Sequence, residues 1–161
     1  MKPITEEIRS KVKQYIKNGI DISPLIQDIC IRGEDFSYAK ISNFTRHKDD
    51  MTNCNFSNAT IGTENTVTSI TDCIMQSCNF MKTKFLGKIH IRHCDVRNST
   101  FKNAFVPDVE YQYSDFRGCQ FCGAVLRIES RLGQGCKFDA NILKELTKFW
   151  GVNVTVTEKE E

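Results

Sequence analysis

The sequence has little of what usually reveals a function. It contains three histidines, three prolines and one tryptophan, and 22 basic residues against 20 acidic ones give a net charge of +2. A charge this close to zero does not indicate a polyanionic partner or nucleic-acid mimicry. No run of 18 apolar residues is present, and the start MKPITEEIRSK lacks the apolar core of a signal peptide. We therefore expect a soluble, cytoplasmic protein whose thiols stay reduced.

What the sequence does contain is a repeat of five residues, clearest between Cys94 and Leu126. Each unit has an apolar centre, and these centres are Val96, Phe101, Val106, Tyr111, Phe116, Phe121 and Leu126. Most centres follow a small residue by two positions: Cys94, Ser99, Ala104, Ser114, Cys119 and Ala124. A period of five fits neither a helix nor a flat strand. A short repeat whose units cannot bury their own apolar face predicts a solenoid.

The units SDFRG, CNFSN, CNFMK, CDVRN and STFKN resemble those of the pentapeptide-repeat family over about two thirds of the chain. That family's unit runs small residue, Asp or Asn, Leu or Phe, then two polar residues. The resemblance implies an all-β solenoid, a right-handed four-sided β-helix with four units to a coil. We expect one domain of about five coils, with residues 1–25 as N-terminal helix and linker, 26–138 as solenoid and 139–161 as C-terminal helix, short strand and tail.

The repeat can be followed upstream with irregularities. The centres are Ile31, Phe36, Ile41, Arg46, Met51, Phe56, Ile61, Thr66, Ile70, Met75, Phe80, Phe85 and Ile91. Arg46 and Thr66 are poor centres, which predicts swollen loops or distorted sides at 44–50 and 62–68. Grouping every fourth centre predicts the columns Phe36/Phe56/Met75/Val96/Phe116, Ile41/Ile61/Phe80/Phe101/Phe121, Phe85/Val106/Leu126 and Ile31/Met51/Ile70/Ile91/Tyr111.

Corners should follow each centre by two positions, where positive φ favours Gly or Asn. Nine such positions carry these residues: Gly33, Asn43, Asn53, Asn58, Gly87, Asn98, Asn103, Gly118 and Gly123.

Helices are predicted at both ends of the repeat. Residues 4–18 have one apolar stripe, with Thr5 as cap and Gly19 after the end. Asp139 should cap a second helix over 140–150, and Val152–Val156 alternates as a strand does. The apolar arc of the second helix is too wide for one contact, and related pentapeptide proteins dimerise through C-terminal helices. We expect a cap and homodimer interface formed by Leu143, Leu146, Phe149, Trp150 and Val154.

The eight cysteines raise the question of a metal site. Six occupy the small position before a centre, where Cys acts as a small core residue: Cys54, Cys73, Cys78, Cys94, Cys119 and Cys136. Cys119-x-x-Cys122 is half of a zinc motif, but Cys122 should point outward and no second pair has matching spacing. We predict structural cysteines, with no metal and no cofactor. Cys54 and Cys73 are predicted neighbours close enough for a disulfide, which a reducing compartment disfavours.

Catalytic residues are hard to find. His47, His90 and His93 have no evident nucleophile or carboxylate arrangement, and no Gly-rich phosphate loop is present. We therefore expect no enzyme. The stretch 82–102 is basic, and a patch for an anionic partner could include Lys82, Lys84, Lys88, Arg92, Arg97 and Lys102. An ordinary solvated face is the favoured interpretation.

Two functional hypotheses follow. The first is a non-enzymatic scaffold that binds an unknown protein partner and self-associates through its C-terminal segment. The alternative is a DNA mimic directed at a topoisomerase (DNA gyrase), as in the antibiotic-resistance branch of the family. That branch depends on an acidic surface, whereas residues 34–138 carry 13 Lys and Arg against 11 Asp and Glu. The charge therefore favours the scaffold.

Overall fold

Parallel β-bridges between residues 20 to 24 positions apart build most of the fold. A computed structural model describes residues 2–128 and 135–142 as an all-β solenoid of about three turns with few helices. The helices are α1 (Glu6–Lys17) and α2 (Ser23–Ile26). The strands are β1 (Lys2–Pro3), β2 (Ile29–Cys30), β3 (Lys40–Ile41), β4 (Arg46–His47), β5 (Thr60–Ile61), β6 (Val67–Thr71), β7 (Lys84–Phe85), β8 (Lys88–Arg92), β9 (Phe105–Gln112) and β10 (Val125–Ile128).

The bridges form four series, which we label A to D in the order in which the chain visits them. Series A joins Asp35, Asn55, Asn79, Thr100 and Gln120, and series B joins Asp21, Lys40, Thr60, Lys84, Phe105 and Val125. Series C joins Arg46, Ile70, Ile91 and Tyr111, and series D joins Asp50, Ile74, Asp95, Asp115 and Lys137. Every pairing is parallel, so each series stacks equivalent positions of successive coils.

The core lies inside these series and is filled by the repeat centres. On series A, successive rings from Phe36 to Phe121 stack at centroid separations of 5.4, 5.2, 4.9 and 5.0 Å; the five rings are Phe36, Phe56, Phe80, Phe101 and Phe121. All five are buried. The separations match the spacing of adjacent strands, about 4.8 Å, because each ring projects from the same position of its coil. The prediction that centres point inward is confirmed for these residues.

The predicted columns are correct from Ile70 onward, and the predicted neighbours before it are also correct, as in Phe36 with Phe56, but the two parts are joined one column out of step. Phe56 stacks on Phe80, not on Met75, and Ile61 pairs with Phe85. The error arises at Thr66, which was counted as a centre. Thr66 is exposed and lies in a long connection between Ile61 and Ile70, so every residue before it was assigned to the neighbouring column.

Arg46 is a true centre, and the prediction of a distorted side at 44–50 is wrong. It pairs with Ile70 in β6 and is only 3% exposed. Lys48, two positions later, has the φ of +52° that a corner requires. The loop predicted at 62–68 does occur. It packs so closely on Gly87 that a Cβ there would collide with the carbonyl oxygens of Thr63 and Thr66.

Positive φ angles confirm the corner prediction at eight of the nine Gly and Asn positions, the exception being Asn43. The same left-handed conformation occurs at Tyr38, Lys48, Asp72, Ser77, Lys82, His93 and Tyr113, each two positions after a centre. The repeat therefore imposes the corner even where the side chain does not favour it.

The N-terminal end of the solenoid is covered by α1. Thr5 caps this helix by accepting a hydrogen bond from the Ile8 amide, as the sequence predicted. Val12 is buried, and Arg9 donates to both carboxylate oxygens of Glu34 at 2.7–3.1 Å. Strand β1 pairs with β2, an arrangement that the sequence analysis did not predict. At the other end residues 140–142 are helical, and the remainder of the predicted helix 140–150 and the strand Val152–Val156 lie outside the described residues.

Candidate functional site

The small residues before the centres donate hydrogen bonds to the backbone carbonyl groups of centre residues in the preceding coil. Cys78 Sγ lies 2.9 Å from Met51 O, and Ser99 Oγ lies 2.6 Å from Met75 O. Equivalent bonds are made by Cys54, Thr83, Cys94, Ser114 and Cys119. A cysteine here combines a small apolar volume with one donor, which accounts for its frequency at this position.

The inward orientation predicted for the cysteines is confirmed for Cys54, Cys73, Cys78, Cys94 and Cys119, which are buried, while Cys136 is half-buried. Cys122 is exposed, as predicted, and all eight thiols are free. Burial raises the pKa of Cys54 and of Cys119 to about 12, so both stay protonated and unreactive. Cys54 and Cys73 are not neighbours. The adjacent pairs are Cys54 with Cys78 and Cys73 with Cys94, because the flanking residues bridge in that register.

The half zinc motif does not converge on a metal. Cys119 donates to a backbone carbonyl inside the coil, and Cys122 faces outward. Among residues 2–128 and 135–142, no three His, Cys, Asp or Glu side chains lie close enough to hold a metal ion together.

One row of side chains combines the types used in nucleophilic catalysis. Ser69, His90 and Glu110 lie side by side on β6, β8 and β9, each one position before a series C centre. Partial burial lowers the pKa of His90, which keeps the ring neutral near pH 7. However, the hydroxyl of Ser69 lies 3.5 Å from the Thr71 hydroxyl, and the hydrogen bonds of the described residues include none between Ser69 and His90. A nucleophile–base contact is therefore lacking.

The carboxylate in this row is held by its neighbours. Glu110 accepts from Arg92 at 2.8 Å and from Gln112 at 2.7 Å, and its Oε2 lies 3.4 Å from His90 Nε2. Partial burial opposes the ionised form, but the hydrogen bond and charge of Arg92 lower the pKa of Glu110 overall. Sequence analysis missed this row, although placing Ile70, Ile91 and Tyr111 in one column already aligned the three preceding residues.

The basic residues of 82–102 do not form a single surface. The stretch 82–102 contains about as many residues as one coil, so the side chains of the stretch are distributed around the whole solenoid. Lys88 and Arg92 lie on series C, and Arg97 is at the corner after series D. Lys84 is on series B, and Lys82 and Lys102 lie at the corner before it, where the Lys82 amide donates to the Lys102 carbonyl at 2.9 Å. The group on series C and D (Lys88, Arg92 and Arg97) is thus separated from the group at series B (Lys82, Lys84 and Lys102).

The arginines beside series D are paired with aspartates of the same series. Arg97 binds Asp95 at 2.7 and 2.8 Å, and Arg117 binds Asp115 at 2.6 Å. A third pair links Arg32 and Asp50 at 2.8 Å. The hydrogen bonds from Arg97 lower the pKa of Asp95 to about 2. The charges on this side are therefore mutually neutralised.

A buried ion pair lies at the first position of series C. Arg46 donates to Asp49 at 3.2 Å and to the carbonyl oxygens of Ile26 at 2.7 Å and Ile29 at 3.3 Å. Both side chains are at most 2% exposed. Burial lowers the pKa of Arg46 and raises that of Asp49. The pair satisfies carbonyls at the end of α2 and in β2, so its position indicates a structural role under the N-terminal cap.

The predicted dimer and capping residues Leu143, Leu146, Phe149, Trp150 and Val154 lie outside the described residues. Among the residues that are described, no helix is long and apolar enough to cross a bilayer.

No protein-family model and no curated protein sequence matches the chain. Similar solved structures include pentapeptide repeat proteins. A thylakoid-lumen protein of Arabidopsis thaliana is 17% identical, with a TM-score of 0.30 over 66% of this chain and 62% of its own. QnrB1, a plasmid-mediated fluoroquinolone resistance protein, is 14% identical, with a TM-score of 0.39 over 76% of this chain and 68% of its own.

The chain is consistent with the pentapeptide-repeat family. Rfr23, a pentapeptide repeat protein of the cyanobacterium Cyanothece 51142, is also similar, at 17% identity and a TM-score of 0.20 over 66% of this chain and 61% of its own. The chain spans about three fifths of the length of the plant and cyanobacterial proteins. This consistency rests on the chain's own five-residue repeat and on its parallel bridges.

Proposed function

We propose that this chain is a non-enzymatic, cytoplasmic scaffold for protein interactions that needs no cofactor. The observation that supports this best is the filled interior. Stacked rings occupy series A from Phe36 to Phe121, and the small residues before the centres are buried beside the core. Ligand pockets usually bury most of a small molecule between apolar walls. This solenoid instead places its polar side chains on outer faces, where a protein partner can reach them.

The architecture behind this proposal is a single domain, a right-handed four-sided β-helix of about five coils, as the repeat implies. Four bridge series and five stacked rings on series A support that form. Right-handed crossovers are the strong default between parallel strands. The balanced aspartate–arginine pairs beside series D also weigh against DNA mimicry, which needs uncompensated negative charge.

Self-association through the C-terminal segment is the second part of the proposal. The N-terminal end is closed: Pro3 in the outermost strand has no amide hydrogen to donate, and α1 packs over the core. At the other end β10 pairs with β9, and no partner for its second edge occurs among the described residues. Two copies meeting about a twofold axis would cover such an edge together with the apolar side chains of 143–154.

Sedimentation tests the self-association. Wild type at micromolar concentration is expected to be a dimer, and Leu146→Glu or Trp150→Glu is expected to give a folded monomer. Lys148→Glu, a charge change in the same predicted helix but off its apolar stripe, serves as control and should remain dimeric. A monomeric wild type would contradict this part of the proposal.

A further inference from the structure

Series B carries an exposed aromatic residue among lysines. Phe105 is 42% exposed and Val125, its partner in the next coil, is 51% exposed. Lys84 pairs with Phe105 from the preceding coil. Lys82 and Lys102 stand at the adjoining corner, and Lys40 lies two coils above Lys84 on the same series. Adjacent strands lie about 4.8 Å apart, so Lys40, Lys84, Phe105 and Val125 share one face, and Lys82 and Lys102 border it at the corner.

The lysines of this face lack the neutralising partners that the arginines beside series D have. Among the described residues, none of Lys40, Lys82, Lys84 and Lys102 makes an ion pair. The one carboxylate on the series, Asp21, is already bonded to Ser23 and Ser42. The face therefore keeps a local positive charge on a nearly neutral protein.

The charged and apolar parts of this face are separated. Lysines occupy the earlier coils and the corner, whereas Phe105 and Val125 occupy the later coils. We propose that this face, formed by Lys40, Lys82, Lys84, Lys102, Phe105 and Val125, binds an acidic protein segment that carries a large apolar side chain. Carboxylates of the segment lie over the lysines, and its apolar side chain packs on Phe105 and Val125.

Single-stranded nucleic acid fits the face less well. Its recognition usually combines a cationic groove along the phosphates with several aromatic planes for stacking. Here Phe105 is the one aromatic side chain of the face, and its neighbour toward the C-terminal end, Val125, offers no stacking plane. An acidic segment with an apolar side chain is more complementary to the face. Its carboxylates meet the ammonium groups of the lysines, and its apolar side chain meets Phe105 and Val125.

This inference rests on the scaffold role proposed above, but it is tested separately from dimerisation. Binding of a fluorescein-labelled random copolymer of glutamate and tyrosine is measured by anisotropy, with poly-glutamate and oligothymidylate for comparison. The copolymer is expected to bind most tightly, since it alone offers both carboxylates and apolar rings. Lys84→Glu and Phe105→Ser are each expected to weaken its binding by about tenfold.

Matched controls exist elsewhere on the protein. Ile74 on series D is 43% exposed, and Lys13 on α1 is exposed and makes no ion pair among the described residues. Ile74→Ser and Lys13→Glu should bind as wild type does, and far-ultraviolet circular dichroism should show all four variants folded. Equal losses in the controls, failure of the copolymer to bind, or oligothymidylate binding as tightly as the copolymer would each overturn the inference. If the protein dimerises but does not bind the copolymer, the inference about this face is wrong and the proposed self-association is unaffected.

Discussion

The connection from series B to series C differs from the other three connections of the coil. Centres that follow one another from A to B, from C to D and from D to A are always five residues apart, as in Phe101 to Val106. From B to C the separation is five residues after Ile41, nine after Ile61 and six after Phe85. Every irregularity of the repeat is thus confined to one corner.

This difference shows what holds the coils in register. On series A each ring stacks on the ring of the next coil, so an inserted residue would misplace the whole stack. At the B–C corner the chain runs over the surface, where length changes cost little conformational entropy. Series C, which follows this corner, is also where the core admits a charged centre, Arg46. Series A therefore specifies the register of the coils, and the B–C corner tolerates insertions and deletions.

The largest expected effect is on the regular side. Phe101 is 2% exposed and stacks between Phe80 and Phe121. Phe101→Ala should lower the free energy of unfolding by about 3–5 kcal/mol, because it leaves a cavity that two rings cannot close. Urea denaturation measures this. Phe105→Ala on the outer face is the control and should cost less than about 1 kcal/mol. Similar losses in both variants would mean that the assigned register is wrong.

The next effect concerns the charged centre on the irregular side. Arg46→Ile copies Ile70 of the following coil but leaves Asp49 buried without its cation, at an expected cost of about 3 kcal/mol near neutral pH. Burial already raises the pKa of Asp49, and the loss of Arg46 raises it further. The folded variant then binds a proton more tightly than the unfolded chain does, so its stability should increase as the pH is lowered from 7 toward about 4.

The matched control for this variant follows from the repeat itself. Cys73 occupies the position of Asp49 in the next coil, so Arg46→Ile combined with Asp49→Cys reproduces that coil's pair of residues. This double variant should recover much of the lost stability and show no increase at lower pH. If it unfolds as readily as Arg46→Ile, the lost bonds to the carbonyls of Ile26 and Ile29 account for the cost, and the unpaired carboxylate does not.

The regular side is also the part of the fold that the sequence could predict. Five-residue spacing and a small residue before each centre place Phe80, Phe101 and Phe121 in one column without structural information. Arg46 could not be placed, because its charge argues against burial. The carbonyls of Ile26 and Ile29 and the carboxylate of Asp49 make its burial tolerable. Thr66 was mistaken for a centre because it lies five positions after Ile61, the spacing of a repeat unit, although it belongs to an inserted loop.

The candidate surfaces were less predictable than the fold. A run of basic residues along the sequence is divided by the coil, so Lys84 and Arg92 end on different series. Residues that do share a face, such as Lys84 and Phe105, are 21 positions apart. Predicting the face therefore required the correct number of residues in each coil, which the B–C corner makes irregular.

A smaller effect is expected at the small inward positions. Cys78→Ala removes the donor to the Met51 carbonyl and should cost about 1 kcal/mol. Cys78→Ser should cost less, because Ser99 fills the equivalent position of the next coil and donates the same kind of bond. Urea denaturation distinguishes the two. A serine variant less stable than the alanine variant would show that volume and not hydrogen bonding decides this position.

The smallest effect is expected where the repeat is already irregular. Deleting residues 63–66 shortens the connection from Ile61 to Ile70 to five residues, the length found after Ile41 and after Val106. Only surface contacts are lost, chiefly the packing of the loop on Gly87, so the free energy of unfolding should fall by less than about 1 kcal/mol.

Deleting 97–100, four residues between the centres Val96 and Phe101, is the control. It removes Ser99 and shifts Phe101 out of its stack, so this variant should not fold. Thermal unfolding followed by circular dichroism compares the two deletions. Equal damage would mean that the B–C corner is as constrained as the other three.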